Sequence, residues 1–206
     1  MQLYYSPGAC SLASHITLRE AGLPVELRKA DTKTKKLEDG SDYFAVNSKG
    51  AVPALRLDDG QVLTEGPAIL QYLADQKPES KLAPKAGTLE RYRLLEWLNF
   101  ITSEVHKSFS PLFNQNAGDE TKRFFREQLR HKLEYVDGKI GAGPFALGDT
   151  LTIADPYLFV MTRWADAMLG LDNWTNLAAF RGRMMERPSV RHVLRFEGLL
   201  KEEVAG

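Results

Sequence analysis

The chain has 206 residues, 43% of them hydrophobic, enough for one large domain or two small ones with real cores. Its 27 basic and 27 acidic residues cancel, which argues against the electrostatic footprint of a nucleic-acid or anionic-membrane binder. The single cysteine excludes an internal disulfide and a Cys-rich zinc site and suits a reducing compartment. No basic leader precedes an apolar run, and no apolar run nears the ~18 residues of a membrane span, so the expectation is a cytoplasmic, soluble protein.

Residues 2–5 read as a short strand and Ser6, Pro7 and Gly8 as a turn. A helix over 11–21 is stopped by Gly22 and Pro24. Cys10 stands at that helix start, where unpaired backbone N–H groups favour a thiolate and predict a lowered pKa; a buried structural cysteine is the other reading. Residues 25–29 alternate as a half-buried strand, giving β-α-β with parallel pairing. The polar stretch 31–47 predicts a surface helix or loop.

Residues 51–57 read as a strand, in which Pro53 would cost a ladder bond. A cis Val52–Pro53 bond resolves the conflict and predicts that the Val52 N–H and C=O point outward, free for another partner. Asp58, Asp59 and Gly60 make a hairpin turn into 61–63. Thr64 is the expected N-cap of a helix with Pro67 in its first turn and Ile69, Leu70, Tyr72 and Leu73 on its apolar face. The order β-α-β-α-β-β-α over 1–77 is that of a thioredoxin-like α/β domain. A two-cysteine redox cycle is excluded, because the position three residues after Cys10 is Ala13.

The proline- and lysine-rich segment 78–87 is a linker, and 88–206 is expected to be an all-α helical bundle. One helix covers 88–113, with Tyr92, Leu95, Ile101 and Val105 at helical spacing and Pro111 near its end. A second carries Phe125, Leu129, Leu133 and Val136, and a third carries Ala154, Leu158, Met161, Ala165 and Met168 in the middle of the bundle. Thr152 and Asp155 are spaced as a capping box for the third. Two more helices, over 177–185 and 189–194, are divided at Pro188.

Taken together, Ser6-Pro7-Gly8-Ala9-Cys10-Ser11, Val52-Pro53-Ala54-Leu55, Thr64-Glu65-Gly66, His106-Lys107 and the Thr152-to-Asp155 cap resemble a bacterial beta-class glutathione S-transferase over nearly the whole chain. The resemblance implies glutathione as co-substrate, no metal, a two-fold homodimer, and conjugation of small apolar electrophiles in a detoxification reaction. It implies that the Val52 backbone pairs with glutathione beside Pro53, that Glu65 takes the γ-glutamyl ammonium, and that N–H groups from Gly66 onward take the α-carboxylate. Gly66 stands where the family commonly has serine. Lys35 would meet the glycyl carboxylate, with Lys33 and Lys36 as alternatives. Cys10 and His106 are the implied catalytic residues, His106 coming from the helical domain to the glutathione sulfur. Asn99, Ser103 and Lys107 share its helix face at spacings of three and four, and Tyr5 and Ser11 are further hydroxyls near the thiol. Phe109, Phe113, Trp164 and Met168 are candidates for the electrophile pocket. Two other readings stand beside conjugation: a thiol reductase working through a Cys10 mixed disulfide, and a non-catalytic binding protein. His15, His131 and His192 are read as ordinary structural histidines.

Overall fold

The computed structural model describes residues 1–200 and divides the chain into two compact units, one of Met1–Ala83 with the chain from Met185 onward, the other of Pro84–Met184. The final six residues of the expected helical domain lie outside the described residues.

The first unit holds a five-stranded sheet of order β3-β2-β1-β4-β5, built from β1 (Gln2–Tyr5), β2 (Glu26–Asp31), β3 (Lys36–Leu37), β4 (Ala54–Arg56) and β5 (Val62–Thr64). β1 and β2 run parallel, as a helical crossover requires, and the other neighbours are antiparallel. Alternation along β1 divides its side chains between two apolar layers. Leu3 and Tyr5 join Leu18 of α1 (Ser11–Ala21), Leu55, and Ile69 and Leu73 of α2 (Gly66–Gln76). Tyr4 joins Ala30, Leu37, Tyr43, Val52 and Ala54 on the other face.

The fold class is thioredoxin-like as expected, with one local change. Between β2 and β4 there is no α-helix but a two-residue strand and a 3₁₀ turn, Tyr43–Ala45, capped by the Asp42 carboxylate accepting from the Phe44 N–H. Tyr43 is fully buried there, so a single turn suffices to cover this face.

The segment after Met185 was expected in the helical bundle, yet it belongs to the first unit. Pro188 opens α8 (Pro188–Phe196), which packs on α1. The Arg187 guanidinium grips the Glu20 carboxylate with two hydrogen bonds, at 2.6 and 2.8 Å. Just past α8, the buried Glu197 carboxylate accepts from the Gly8 N–H at 2.9 Å and pairs with His15 Nδ1 at 2.9 Å. Gly8 has φ +71°, and a Cβ there would come within 3.3 Å of Leu199 Cδ2, so the tail also forms the floor of the Ser6–Cys10 turn.

The second unit is helical: α3 (Leu89–Phe100), a π-helical stretch (Ile101–His106), α4 (Lys107–Phe113), α5 (Asp119–Ile140), α6 (Ala154–Leu169) and most of α7 (Thr175–Glu186). The expected apolar stripe of the first helix is displaced: Tyr92 is exposed and Leu95 half-buried, while Leu94, Leu98, Ile101 and Val105 are buried. Three hydroxyls bond back one turn in this region, Thr102 to the Leu98 carbonyl, Ser103 to Asn99 and Ser108 to Glu104. Such bonds compete with the backbone for the i−4 carbonyls and suit a widened turn. α6 is buried continuously from Ala154 to Thr162. Its start is the capping box read from the sequence: Asp155 Oδ2 accepts from the Thr152 N–H at 2.7 Å, and Thr152 Oγ1 accepts from the Ala154 N–H at 3.3 Å.

Candidate active site

Cys10 precedes α1 with helical backbone angles, and its Sγ donates to the Val52 carbonyl at 3.1 Å. Burial pushes the thiol up to about 11; the Cys10 and Ser11 N–H groups lower it by less, and Glu65 adds to the rise. The expected thiolate at a helix start is therefore corrected: helix-end donors are present, but desolvation outweighs them. Val52 is joined to Pro53 by a cis bond, as the sequence suggests. Its carbonyl is not free, since it takes the Cys10 S–H, whereas its N–H has no hydrogen-bond partner among the described residues. The Tyr43 hydroxyl and the Asn47 amide both donate to the neighbouring Ala51 carbonyl at 2.8 Å, anchoring the chain as it enters this turn.

The three lysines separate clearly. Lys33 and Lys36 are exposed, whereas Lys35 is half-buried, lies at φ +58° and donates from Nζ to the Gly50 carbonyl at 2.7 Å. Thr64, the expected cap of α2, is instead the last residue of β5. The cap position is taken by Glu65, at φ +71° and without a side-chain cap bond. A non-glycine residue in this region costs on the order of 1 kcal/mol and tends to occur at functional sites. Glu65 Oε1 pairs with Lys49 Nζ at 2.6 Å, and the same ammonium donates to Thr64 Oγ1 at 3.0 Å. Nothing local in the sequence marks Lys49; the fold alone brings it to Glu65.

In the second unit the π-helical stretch ends on His106, whose Nδ1 lies 2.7 Å from the Tyr157 hydroxyl. Burial, assisted by Lys107, lowers its pKa to about 4, so the ring is neutral near pH 7. Trp164 stands edge-on to His106 at 5.1 Å and also contacts Phe109 at 5.4 Å and Phe113 at 4.9 Å. His106 and three of the expected pocket residues, Phe109, Phe113 and Trp164, thus form one aromatic cluster, to which the structure adds Tyr157.

Two family models match, the N-terminal domain of glutathione S-transferase over residues 8–76 and its C-terminal domain over 103–195. A protein of Escherichia coli O157:H7 named Glutathione S-transferase GstA is 52% identical over 200 residues, 97% of this chain and 100% of its own length. The chain belongs to the glutathione S-transferase family of enzymes. The assignment to the bacterial beta class agrees with the solved beta-class glutathione S-transferase of Sphingomonas chungbukensis, with a TM-score of 0.94 and 47% identity over 97% of this chain and 100% of that one. A sphingomonad glutathione S-transferase solved in complex with glutathione gives a TM-score of 0.93 and 45% identity, again over 97% and 100%.

Some of the expected polar residues have other duties in this transferase. Tyr5 lies on the opposite sheet face from Val52, packed against His15 and Phe196, and burial raises its pKa. Its ring is part of the core on that face. Ser11 is fully buried, and its hydroxyl is used on Ser6, accepting from the N–H at 3.1 Å and donating to the carbonyl at 3.3 Å. Both bonds hold the turn that carries Cys10. Asn99, Ser103 and Lys107 are exposed, while His106 is half-buried, so the shared polar face is broken by the widened turn between them. Met168 is half-buried near the end of α6. Among the described residues no cluster of His, Cys, Asp and Glu could hold a metal ion, and no helix is long and apolar enough to cross a membrane.

Proposed function

We propose that this transferase binds glutathione on its first unit and conjugates the thiolate to small apolar electrophiles, with His106 and the aromatic cluster of the second unit serving the reaction. The observation that supports this reading most is the Cys10–Val52 contact: it puts the thiol 3.1 Å from the strand end whose unpartnered N–H suits an added peptide strand. Glu65 would take the γ-glutamyl ammonium, Gly66 and the following N–H groups the α-carboxylate, and Lys35 the glycyl carboxylate. The relative solved with glutathione supports the choice of co-substrate.

In the reaction a carbon–sulfur bond forms as glutathione sulfur attacks the electrophilic carbon, and the displaced group leaves with its electron pair. Lowering the glutathione thiol pKa by two units from about 8.5 raises the thiolate at pH 7 about 25-fold, but weaker nucleophilicity takes back roughly 6–10-fold. Holding the two reactants together must supply most of the acceleration. Calorimetric titration with millimolar glutathione, followed by conjugation of an activated aryl halide, tests the reading. Absence of heat and turnover would favour a non-catalytic binding protein. His106→Ala should lower kcat more than it raises the glutathione KM, and the reverse pattern would make His106 a binding residue.

The Lys49–Glu65 pair must open for an ammonium to reach Glu65. Both side chains are more than half exposed, and such pairs contribute about 0–1 kcal/mol. Lys49→Met should therefore tighten glutathione by at most about fivefold; weakening in the same titration would show that Lys49 itself holds the ligand.

A second reading, accessory thiol reduction, rests on Cys10 standing at the same strand end. The Cys10 sulfur would attack a glutathionylated disulfide, releasing the substrate thiol and leaving a Cys10–glutathione disulfide. A second glutathione would then restore Cys10 and leave as the oxidised dimer. A cytoplasmic homodimer completes the proposal, and sedimentation equilibrium would check the assembly.

A further inference from the structure

The reading above counts Tyr157 only as a member of the aromatic cluster, yet its hydroxyl makes a polar contact to His106. It lies on α6, only 3% exposed, with its hydroxyl 2.7 Å from His106 Nδ1 and its ring edge-on to the imidazole at 5.8 Å and 88°. Trp164 also packs against the imidazole, at 5.1 Å. The ring is thus held by two aromatic contacts and one hydrogen bond, all within the second unit.

We propose that Tyr157 is a positioning residue that fixes the tautomer of His106: its hydroxyl donates to Nδ1, leaving the imidazole proton on Nε2. A neutral imidazole carries one N–H and one bare nitrogen, and its partner decides which is which. The bare nitrogen of imidazole is a far stronger acceptor than a phenolic oxygen, and a phenol is the better donor, so O–H···N is the favoured pairing. A distance of 2.7 Å suits it. His106 then presents a hydrogen-bond donor at Nε2. Such a donor can stabilise developing negative charge, and it cannot remove a proton through that nitrogen. This role rests on the proposed function; the tautomer itself does not.

The test combines nitrogen-15 NMR of the histidine side chains with kinetics. Resonances that vanish in His106→Ala are assigned to His106. In the wild type they should show a protonated Nε2 and a bare, hydrogen-bonded Nδ1, and in Tyr157→Phe the Nδ1 signal should move to that of an unbonded nitrogen. Tyr157→Phe keeps the ring and should lower kcat about five- to tenfold, with the glutathione KM changed by less than about twofold. In the His106→Ala background the same substitution should change kcat by less than about twofold, since the residue acts through His106. A proton on Nδ1 in the wild type, or an equal loss of kcat in both backgrounds, would overturn the proposal. If His106→Ala leaves kcat intact, the donor role falls with the proposed function, and the nitrogen resonances alone decide the tautomer.

Discussion

Replacing Asp155 by alanine should destabilise the protein by about 3–5 kcal/mol, because it strands several buried donors at once. Asp155 is fully buried. Its Oδ1 accepts from the Ala146 N–H at 2.7 Å, and its Oδ2 accepts from the Thr152 N–H at 2.7 Å and the Thr152 hydroxyl at 3.2 Å. The carboxylate therefore caps α6 and also ties down the loop entering it. Each stranded donor costs about 1–3 kcal/mol where water cannot reach, and partial relaxation keeps the total below the simple sum. For a chain of this size the loss corresponds to a fall in Tm of roughly 10 °C. Thr152→Ala, which removes only the cap hydroxyl, should cost about 1 kcal/mol. Denaturant titration of the two variants checks the order, and a loss below 1 kcal/mol for Asp155→Ala would refute the dual role of the carboxylate.

Cys10→Ala should abolish glutathione-dependent reduction of mixed disulfides while leaving much of the conjugation rate. Reduction requires a covalent bond to this sulfur; conjugation uses the sulfur of glutathione. Full retention of reductase activity would remove Cys10 from that chemistry. The free enzyme offers a companion measurement. With its pKa pushed up to about 11, the Cys10 thiol is protonated at neutral pH and donates to Val52. Relative to a free cysteine of pKa about 8.5, its thiolate fraction at pH 7 is lower by about 300-fold, partly offset by roughly 13-fold greater nucleophilicity, so alkylation should be about 20-fold slower. Because the thiolate is the reactive form, the rate should climb as pH rises and continue past pH 9. A rate already flat at pH 7 would mean that the helix start wins over burial after all.

Much of this fold is legible locally. The short strand over residues 2–5, the Gly22 and Pro24 stop, the Asp58-Asp59-Gly60 turn and the Thr152–Asp155 spacing each encode a structure within a few residues, and each appears as read. The site is less legible. Its motifs announce Cys10, Val52, Glu65 and His106, but Lys49 and Tyr157, the partners of the last two, carry no local mark. The pairing of hydrogen-bond donors and acceptors also escapes a one-dimensional reading: Ser11 looks like a spare hydroxyl until its bonds to Ser6 are seen.

The family, the element order and the position of the lone thiol at a helix start are written in short-range spacing along the chain. The state of that thiol is set in the folded molecule, since the pKa depends on how much water the packed chain excludes. Tertiary packing also decides that the segment after Met185 belongs with the first unit. Glu197 meets Gly8 and His15 across 189 and 182 residues of chain, and no pattern along the sequence records a hydrogen bond closed over that distance.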